Sequence, residues 1–320
     1  MKAPSAQSIP RNAGPEDLYP RSGAKTSFFT NRKGLKLAVH TWAVRRPRAI
    51  VVVAHGIDAH ARFQFGHPSD GDVLYADSWA EFFNRRDIQV VGVDHQSHGA
   101  SEGIRPGLQV FFESFTDIVD DLEDVLRKVQ DEAAGIPVIL LGASFGGCVA
   151  AHVAARRGSR LHGTVLLCPM LSVEGIKKQP LNRILLPLVD YLSRWFPTMA
   201  IGSKAESTTF PELHRNLQMD PLTYDGPFRA RTASENLRAM DEAMDQAELV
   251  QAPILMVHSY ADTMCEPEGS QKFLSFVSSR DKTIDLLDDV DGYKFWHALT
   301  HEPGNKIIAE RVCRWIERRV

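Results

Sequence analysis

Short apolar runs alternate with longer amphipathic segments along most of the chain, and this alternation restricts the fold more than any other feature. Each run is continuously apolar, as in strands that are buried on both faces of a parallel sheet. The segments between the runs have helical spacing, which predicts helices on both sides of that sheet. The predicted strands are AIVVVAH (49–55), IQVVGVD (88–94), PVILLG (137–142), GTVLLCP (163–169) and APILMVH (252–258).

Further elements complete an α/β fold with a mostly parallel central sheet flanked by helices. The stretch SFFTNRKGLKLAVHTW (27–42) predicts an N-terminal hairpin that turns at Asn31 to Gly34, and KTIDLL (282–287) is a candidate last strand. Apolar positions at helical spacing predict helices over 114–129, 145–157 and 305–319.

Residues 171–247 interrupt the alternation because they contain no convincing strand. The segment is too long for a crossover connection. It is interpreted as a helical cap, or lid, inserted between the sixth and seventh core strands, so that residues 27–170 and 248–320 form the core. Residues 1–26 are rich in Pro, Ser, Gly and charge, which predicts a disordered tail.

Composition argues against several classes of protein. A net charge of −3 over 320 residues lacks the basic excess of a nucleic-acid-binding protein. The four cysteines lack paired metal-ligand spacing and are interpreted as reduced thiols, and no bound metal is expected. The N-terminus has no signal-peptide core, and no apolar run is long enough to cross a bilayer. A cytoplasmic protein is expected.

The stretch LLGASFGG (140–147) places a serine between glycines where a predicted strand ends and a predicted helix begins. In this context Gly142-x-Ser144-x-Gly146 fits the nucleophile elbow. Small residues two positions before and after the serine let the strand and the helix approach, and the helix N-terminus favours developing negative charge. Ser144 is therefore predicted to be a nucleophile.

A serine hydroxyl needs a base, and the base needs an orienting acid. In this type of fold the chain order is Ser, then Asp or Glu, then His. Asp262 follows the strand at 252–258 and is the predicted acid. Asp94 also follows a strand but precedes the serine, whereas Glu266 lies deeper in its loop. Asp262 could alternatively be only a turn-capping residue.

His297 lies in the loop before the last helix and is the predicted base. His301 competes with it, four residues later. The sequence HALTH lacks the glutamate of a zinc-protease helix, so the pair is not interpreted as a metal site.

Two backbone N–H groups are needed to stabilise an oxyanion. Phe145, directly after the nucleophile, is predicted to provide one. The turn His55-Gly56-Ile57 after the strand at 49–55 is predicted to provide the other, from the backbone of Ile57.

Several motifs resemble the monoglyceride lipase and lysophospholipase branch of the α/β-hydrolases, which includes related plant carboxylesterases. They are AHGIDAHARF, VDHQSHGASEG, LLGASFGG, DPLTYDGPFRARTASE, YADTMCEPEGS and FWHALTHEPGN, and the similarity covers about residues 27 to 318. The resemblance implies a serine hydrolase with an α/β-hydrolase fold, catalytic Ser144, Asp262 and His297, oxyanion amides at Ile57 and Phe145, a cap over the pocket and no cofactor.

The chain departs from this family at two places. Ser97 stands where the family usually has glycine, which is a detail of a turn. The segment FQFGHPSDGDVLY (63–75) is longer than the family's loop, and it follows the oxyanion strand. Substrate choice is therefore less transferable than mechanism.

The cap contains LNRILLPLVDYLSRWFP (181–197), which predicts an almost all-round apolar helix with Pro187 inside it. Such a helix could simply pack on the core. Its excess of apolar side chains instead suggests an acyl pocket and contact with a membrane surface. The candidate pocket residues are Leu185, Leu188, Leu192 and Trp195.

These observations predict a carboxylic ester hydrolase that acts on a monoacylglycerol or a similar single-chain lipid ester, such as a lysophospholipid, through an acyl-enzyme. Three alternatives stay open: an acyl-protein thioesterase, a carboxylesterase for small esters, and a non-catalytic ligand-binding homologue. Head group, chain length and oligomeric state are not fixed by the sequence.

Overall fold

A computed structural model describes residues 15–172, 180–201 and 210–320, without the side chains of residues 15 and 180–187. Its centre is an eight-stranded sheet. The strands are β1 (Lys25–Thr30), β2 (Lys36–Trp42), β3 (Ala49–Ala54), β6 (Ile88–Val93), β7 (Val138–Ala143), β8 (Gly163–Leu167), β11 (Ile254–Ser259) and β12 (Lys282–Leu287). They lie side by side in the order β1-β2-β6-β3-β7-β8-β11-β12. The first two strands form an antiparallel hairpin, β2 also pairs antiparallel with β6, and all remaining pairs in this sheet are parallel.

Helices cover both faces of this sheet, as the alternation in the sequence predicts. In β3, Ile50, Val52 and Ala54 pack with helices on one face, whereas Ala49, Val51 and Val53 pack on the other. The core helices are α1 (Pro15–Leu18), α2 (Ala61–Phe65), α3 (Trp79–Asn84), α4 (Phe115–Glu132), α5 (Phe145–Arg157), α9 (Pro267–Phe276) and α10 (Asn305–Glu317).

The segment between β8 and β11 is mainly helical in its described parts. It contains α6 (Pro180–Trp195), α7 (Pro211–Met219) and α8 (Ala230–Asp245). The short strands β9 (Ala200–Ile201) and β10 (Phe228–Arg229) pair antiparallel. These strands were not predicted, because two residues are too few to form a periodic pattern.

Residues 15–26 do not belong to a disordered tail as predicted. They form α1 and the start of β1, and Tyr19 is only 1% exposed. The Tyr19 hydroxyl donates to Asp220 Oδ1 over 2.8 Å, which ties this segment to the end of α7. Burial of one aromatic ring and its hydrogen bond order a stretch whose composition alone favours disorder. Residues 1–14 lie outside the described part of the chain.

The segment 63–75 ends in a small hairpin, formed by β4 (His67–Ser69) and β5 (Asp72–Leu74). At its tip, Asp70 lies 3.5 Å from Arg215 of α7. A methyl group added at Gly71 would lie 3.0 Å from the carbonyl oxygen of Met219, so the hairpin and α7 are in close contact. The hairpin therefore contacts the cap, and only the start of the segment, Phe63 and Gln64, lines the cavity described below.

The other departure, Ser97, is a turn residue with a φ of 65°. This is the left-handed region in which glycine is favoured. The Ser97 hydroxyl donates to the carbonyl oxygen of Phe111 over 2.6 Å, which stabilises the turn.

Two minor strands complete the fold before the last helix. They are β13 (Asp289–Val290) and β14 (Tyr293–Lys294), which pair antiparallel. The chain then passes through the loop that contains His297 and enters α10.

Buried histidines are expected to make the fold acid-labile. Burial lowers the pKa of His95 to about 3 and that of His301 to about 4, and it holds the pKa of His55 well below its usual value. Below pH ~6.5 the unfolded chain binds protons at these residues and the folded chain does not, so stability falls as pH falls. Asp121, whose carboxyl pKa burial raises to about 7, acts in the opposite direction.

For His95 alone the expected loss between pH 7.5 and pH 5 is about 2 kcal/mol. Urea unfolding of the wild type and of His95→Gln at pH 7.5 and pH 5 measures this. The variant should lose less stability on acidification than the wild type. An equal loss in both proteins would contradict the prediction.

Candidate active site

Ser144 occupies a tight turn between β7 and α5. Its φ is 53°, an unfavourable value for a residue with a side chain. The turn requires small neighbours: a methyl group added at Gly142 would lie 2.2 Å from the carbonyl oxygen of Gly146, and one at Gly146 would lie 2.3 Å from that of Ala54. The structure thus has the strained strand-to-helix geometry that the glycine pattern predicts.

Ser144, His297 and Asp262 come together in one hydrogen-bonded chain. The Ser144 Oγ lies 2.9 Å from His297 Nε2, and His297 Nδ1 lies 2.7 Å from Asp262 Oδ2. Because an ionised carboxylate only accepts hydrogen bonds, Nδ1 carries the proton and donates to Asp262. Nε2 is then free to accept from the Ser144 hydroxyl, which is the arrangement a general base requires.

Asp262 is held as an anion in a buried position. Its Oδ1 accepts hydrogen bonds from the backbone N–H groups of Met264 and Cys265 at 2.8 and 2.9 Å. Its Oδ2 lies near His258 and His297. Burial alone would raise the pKa of the carboxyl, but the hydrogen bonds from the two histidines and the Cys265 amide hold that pKa well below its usual value.

Glu302 fixes the loop that carries His297. Its carboxyl group accepts hydrogen bonds from the backbone N–H groups of Trp296, His297 and Ala298 at 2.7, 2.8 and 2.6 Å. Burial nevertheless raises the pKa of this carboxyl, and the three amides oppose that effect. Sequence reasoning did not identify Glu302, although it lies in the quoted motif HALTHEPG.

The competing residues are engaged elsewhere. His301 Nε2 lies 2.9 Å from the carbonyl oxygen of Phe63. Asp94 directly follows β6, and its Oδ2 lies 3.0 Å from His40 Nε2. Glu266 accepts from the Ser172 hydroxyl over 3.2 Å. The geometry therefore selects Asp262 and His297 from among the candidates.

The turn after β3 lies beside the serine. A methyl group added at Gly56 would lie 3.7 Å from Ser144 Cβ, and the half-buried Ile57 lines the same cavity. Gln64 braces this turn, because its Oε1 accepts from the Gly56 N–H over 3.3 Å and its Nε2 donates to Thr300 over 2.5 Å. Phe145 is the first residue of α5, directly after Ser144.

A cavity of about 170 Å³ opens at Ser144 and His297. The cap contributes Leu213, His214 and Leu217 of α7 to its wall. Most other lining side chains are apolar, so the cavity can accept a hydrocarbon group beside the serine.

Among the predicted pocket residues of α6 whose side chains the structure describes, Leu188, Leu192 and Trp195 are not in this wall. Leu188 is 45% and Trp195 is 62% exposed, and Leu192 is half-buried. The reason is the orientation of α6: Ser193 is buried, Leu192 is half-buried, and Asp190 accepts from the Ser234 hydroxyl of α8 over 2.5 Å. Leu188 and Trp195 consequently face solvent. The side chain of Leu185 lies outside the described residues.

One group of possible metal ligands occurs among the described residues, although the sequence predicted none. Ligand atoms of Cys168, Asp262 and His297 lie within 4.8 Å of one another. However, burial holds the pKa of the Cys168 thiol well above its usual value, which disfavours the thiolate that metals bind. Asp262 and His297 are already hydrogen-bonded to each other, so the arrangement suits proton transfer better than metal binding.

No helix in the described ranges is long and apolar enough to cross a bilayer.

Known proteins with similar sequences include monoglyceride and monoacylglycerol lipases. The monoglyceride lipase of Rattus norvegicus is 24% identical over 324 aligned positions, which cover 100% of this chain and 96% of that protein. The monoacylglycerol lipase of Mycolicibacterium smegmatis is 24% identical, with 90% of this chain and 95% of that protein covered.

Solved structures show the same fold. Monoacylglycerol lipase from Paleococcus ferrophilus superimposes with a TM-score of 0.68 at 23% identity, covering 89% of this chain and 99% of that one. A soluble variant of monoglyceride lipase from Saccharomyces cerevisiae, in complex with a substrate analogue, gives 0.74 at 16% identity, covering 93% and 96%.

The family model for Hydrolase_4, described as serine aminopeptidase S33, matches residues 45–304. Together with the parallel sheet and the likeness to monoglyceride lipases, this match confirms the resemblance that the motifs indicate. The chain is an α/β-hydrolase and belongs to the serine aminopeptidase S33 family.

Proposed function

We propose that the protein is a serine hydrolase that cleaves a monoacylglycerol or a similar single-chain lipid ester. The observation that carries this proposal is the continuous chain from Ser144 Oγ to His297 and Asp262, at 2.9 and 2.7 Å, with Ser144 and His297 in the lining of a mainly apolar cavity. The named relatives, which are monoglyceride lipases, support the choice of substrate class.

In the first step, His297 Nε2 takes the proton of the Ser144 hydroxyl as Oγ attacks the ester carbonyl. Asp262 stabilises the imidazolium that forms. The backbone N–H groups of Ile57 and Phe145 donate to the oxyanion, and the N-terminus of α5 favours the same negative charge.

In the second step, the imidazolium gives its proton to the alkoxide leaving group, and the alcohol departs from the acyl-enzyme. Water then enters, His297 removes one of its protons, and the hydroxide attacks the acyl carbonyl. Collapse of this intermediate releases the fatty acid and returns the proton to Ser144. No step requires a metal or a cofactor.

Residues 171–247 act, in this proposal, as the cap that contributes an acyl-binding wall, with α7 in contact with the substrate. Leu213 and Leu217 would contact the hydrocarbon chain. Each buried methylene adds about 0.8 kcal/mol, so four extra carbons strengthen binding by roughly 3 kcal/mol, or about a hundredfold.

This effect predicts that kcat/KM rises with acyl-chain length for substrates below micelle formation. Leu217→Asp should blunt the rise, because it places a charge in the apolar wall. Leu188→Asp is the matched control, since Leu188 lies on the exposed side of α6, and it should leave the rise unchanged. A maximum at acetate or butyrate would instead indicate a small-ester carboxylesterase.

The exposed side of α6 supports a peripheral contact with membranes. Leu188, Tyr191 and Trp195 are 45%, 57% and 62% exposed at helical spacing, and Phe196 and Met199 extend the patch. Monomeric proteins seldom expose such a contiguous apolar patch without a function. Such a contact would bring the enzyme to a surface that holds its substrate.

The direct test of the substrate proposal is a turnover panel of monoacylglycerols, lysophospholipids, p-nitrophenyl esters and an acyl thioester. The highest kcat/KM should occur with a long-chain monoacylglycerol or lysophospholipid. Preference for the thioester would favour an acyl-protein thioesterase. Absence of turnover across the panel would favour a non-catalytic ligand-binding protein.

A further inference from the structure

A second histidine, His258, shares the carboxylate of Asp262 with His297. His258 Nε2 lies 3.1 Å from Asp262 Oδ2 and 3.0 Å from the carbonyl oxygen of Cys265. Its Nδ1 lies 2.7 Å from the Ser270 hydroxyl in α9. Both His258 and Ser270 are fully buried, so neither can touch a substrate.

The contacts of His258 fix its tautomer. Nε2 faces a carboxylate oxygen and a carbonyl oxygen, which both only accept hydrogen bonds, so Nε2 must carry a proton. In the neutral ring Nδ1 then has a lone pair and accepts from the Ser270 hydroxyl. Asp262 Oδ2 therefore receives two imidazole N–H groups, one from each histidine.

We infer that His258 is a positioning residue for the reaction. It orients Asp262 Oδ2 toward His297, and it weakens the electrostatic interaction between the Asp262 carboxylate and protonated His297. This inference rests on the proposed function. It assigns to His258 an effect on catalysis that goes beyond packing, although the residue touches neither the substrate nor Ser144.

The physical reason is that two donors on one oxygen share its negative charge. Without His258, Oδ2 would interact more strongly with His297 and stabilise the imidazolium further, and the carboxylate would have one restraint fewer on its orientation. The two donors on Oδ1, from Met264 and Cys265, would remain.

Other titratable groups around Asp262 do not replace this donor. The Cys168 thiol is directed at the carbonyl oxygen of Trp296, 3.9 Å away. The side chain of Cys265 is close to Ser144, and burial holds the pKa of both thiols well above its usual value. Glu302, beside His297, is occupied by three backbone amides.

Two substitutions at His258 distinguish the hydrogen bond of Nε2 from that of Nδ1. His258→Gln can place its amide N–H near the position of Nε2 and keep the bond to Asp262. His258→Asn can reach only the position of Nδ1, so it keeps an acceptor for Ser270 and loses the donor to Asp262.

The experiment measures kcat and KM against pH for both variants, with active sites counted by a fluorophosphonate probe. The Asn variant should lose roughly tenfold in kcat at little change in KM, and the acidic limb of its profile should move up by roughly half a pH unit or more. The Gln variant should restore the profile toward that of the wild type. Equal profiles in wild type and Asn variant would overturn the inference.

A measurement on the unsubstituted protein covers the case in which a variant fails to fold. Nitrogen-15 NMR of labelled histidines at the pH of the assay should show the proton of His258 on Nε2 and a lone pair on Nδ1. A proton on Nδ1 with a lone pair on Nε2 would overturn the inference. If instead the wild type hydrolyses nothing, or Ser144→Ala stays active, the proposed function fails, which is a distinct outcome.

Discussion

Replacement of Ser144 by alanine is expected to lower kcat/KM by roughly five to six orders of magnitude, because a serine, its base and the orienting acid act as one unit. The loss should occur with the fold intact, since alanine keeps the small volume and the turn. Circular dichroism and thermal unfolding against the wild type check the fold, and initial rates with a p-nitrophenyl ester check the activity.

Because the serine, its base and the orienting acid act as one unit, the losses of activity caused by their substitutions should not add. His297→Ala should cost nearly as much as Ser144→Ala, and the double variant should be no worse than either single one. His301→Ala is the matched control, because His301 is bonded to the carbonyl oxygen of Phe63 rather than to Ser144. An inactive His301→Ala protein with a near-normal His297→Ala protein would mean that the base is misassigned.

The second large effect concerns folding. Gly146→Ala is expected to prevent folding or to lower the free energy of unfolding by about 4 kcal/mol or more. The added methyl group would lie 2.3 Å from the carbonyl oxygen of Ala54 and 2.6 Å from that of His55, which are backbone atoms of the neighbouring strand end. Helix propensity alone predicts the reverse, since alanine is favoured over glycine by about 1 kcal/mol in a helix.

Gly34→Ala is the control for this substitution. Gly34 has a φ of 80° and no atom within 4 Å of an added methyl group, so the strain of the left-handed backbone is the main cost, about 1–2 kcal/mol. Soluble yield and urea midpoints of the two variants compare the effects. A Gly146→Ala protein as stable as Gly34→Ala would show that β3 and α5 are not in the close contact described.

The central sheet could be predicted from the sequence because its strands are buried on both faces. Continuous apolar runs such as 49–55 and 137–142 correspond to β3 and β7 within one or two residues. The segment 15–26 was misassigned because its order depends on single long-range contacts, such as the bond from Tyr19 to Asp220. Local composition does not contain that information.

The three residues of the candidate triad could be predicted because each follows a strand in a fixed order. The residues that hydrogen-bond to Asp262 and to the His297 loop could not be predicted in this way. His258 ends a buried strand and resembles a core residue in the sequence, and Glu302 lies in a polar loop where carboxylates are common. Only the structure shows their hydrogen bonds, between His258 and Asp262 and between Glu302 and the His297 loop.

The cap was the least predictable part. The apolar pattern of α6 predicts an almost all-round apolar helix, but which part of that surface is buried depends on tertiary packing. In the structure Leu188, Tyr191 and Trp195 are exposed, and α7 contributes to the cavity wall. A periodic pattern shows which side chains of a helix are apolar, but it does not show what those side chains pack against.

The most direct measurement of the central claim is the site of covalent labelling. The folded protein would be treated with a fluorophosphonate probe, digested, and analysed by peptide mass spectrometry, with Ser144→Ala and His297→Ala as parallel samples. The account predicts one adduct, on Ser144, that is absent from Ser144→Ala and forms far more slowly in His297→Ala. An adduct on another residue, or labelling that persists in Ser144→Ala, would contradict it.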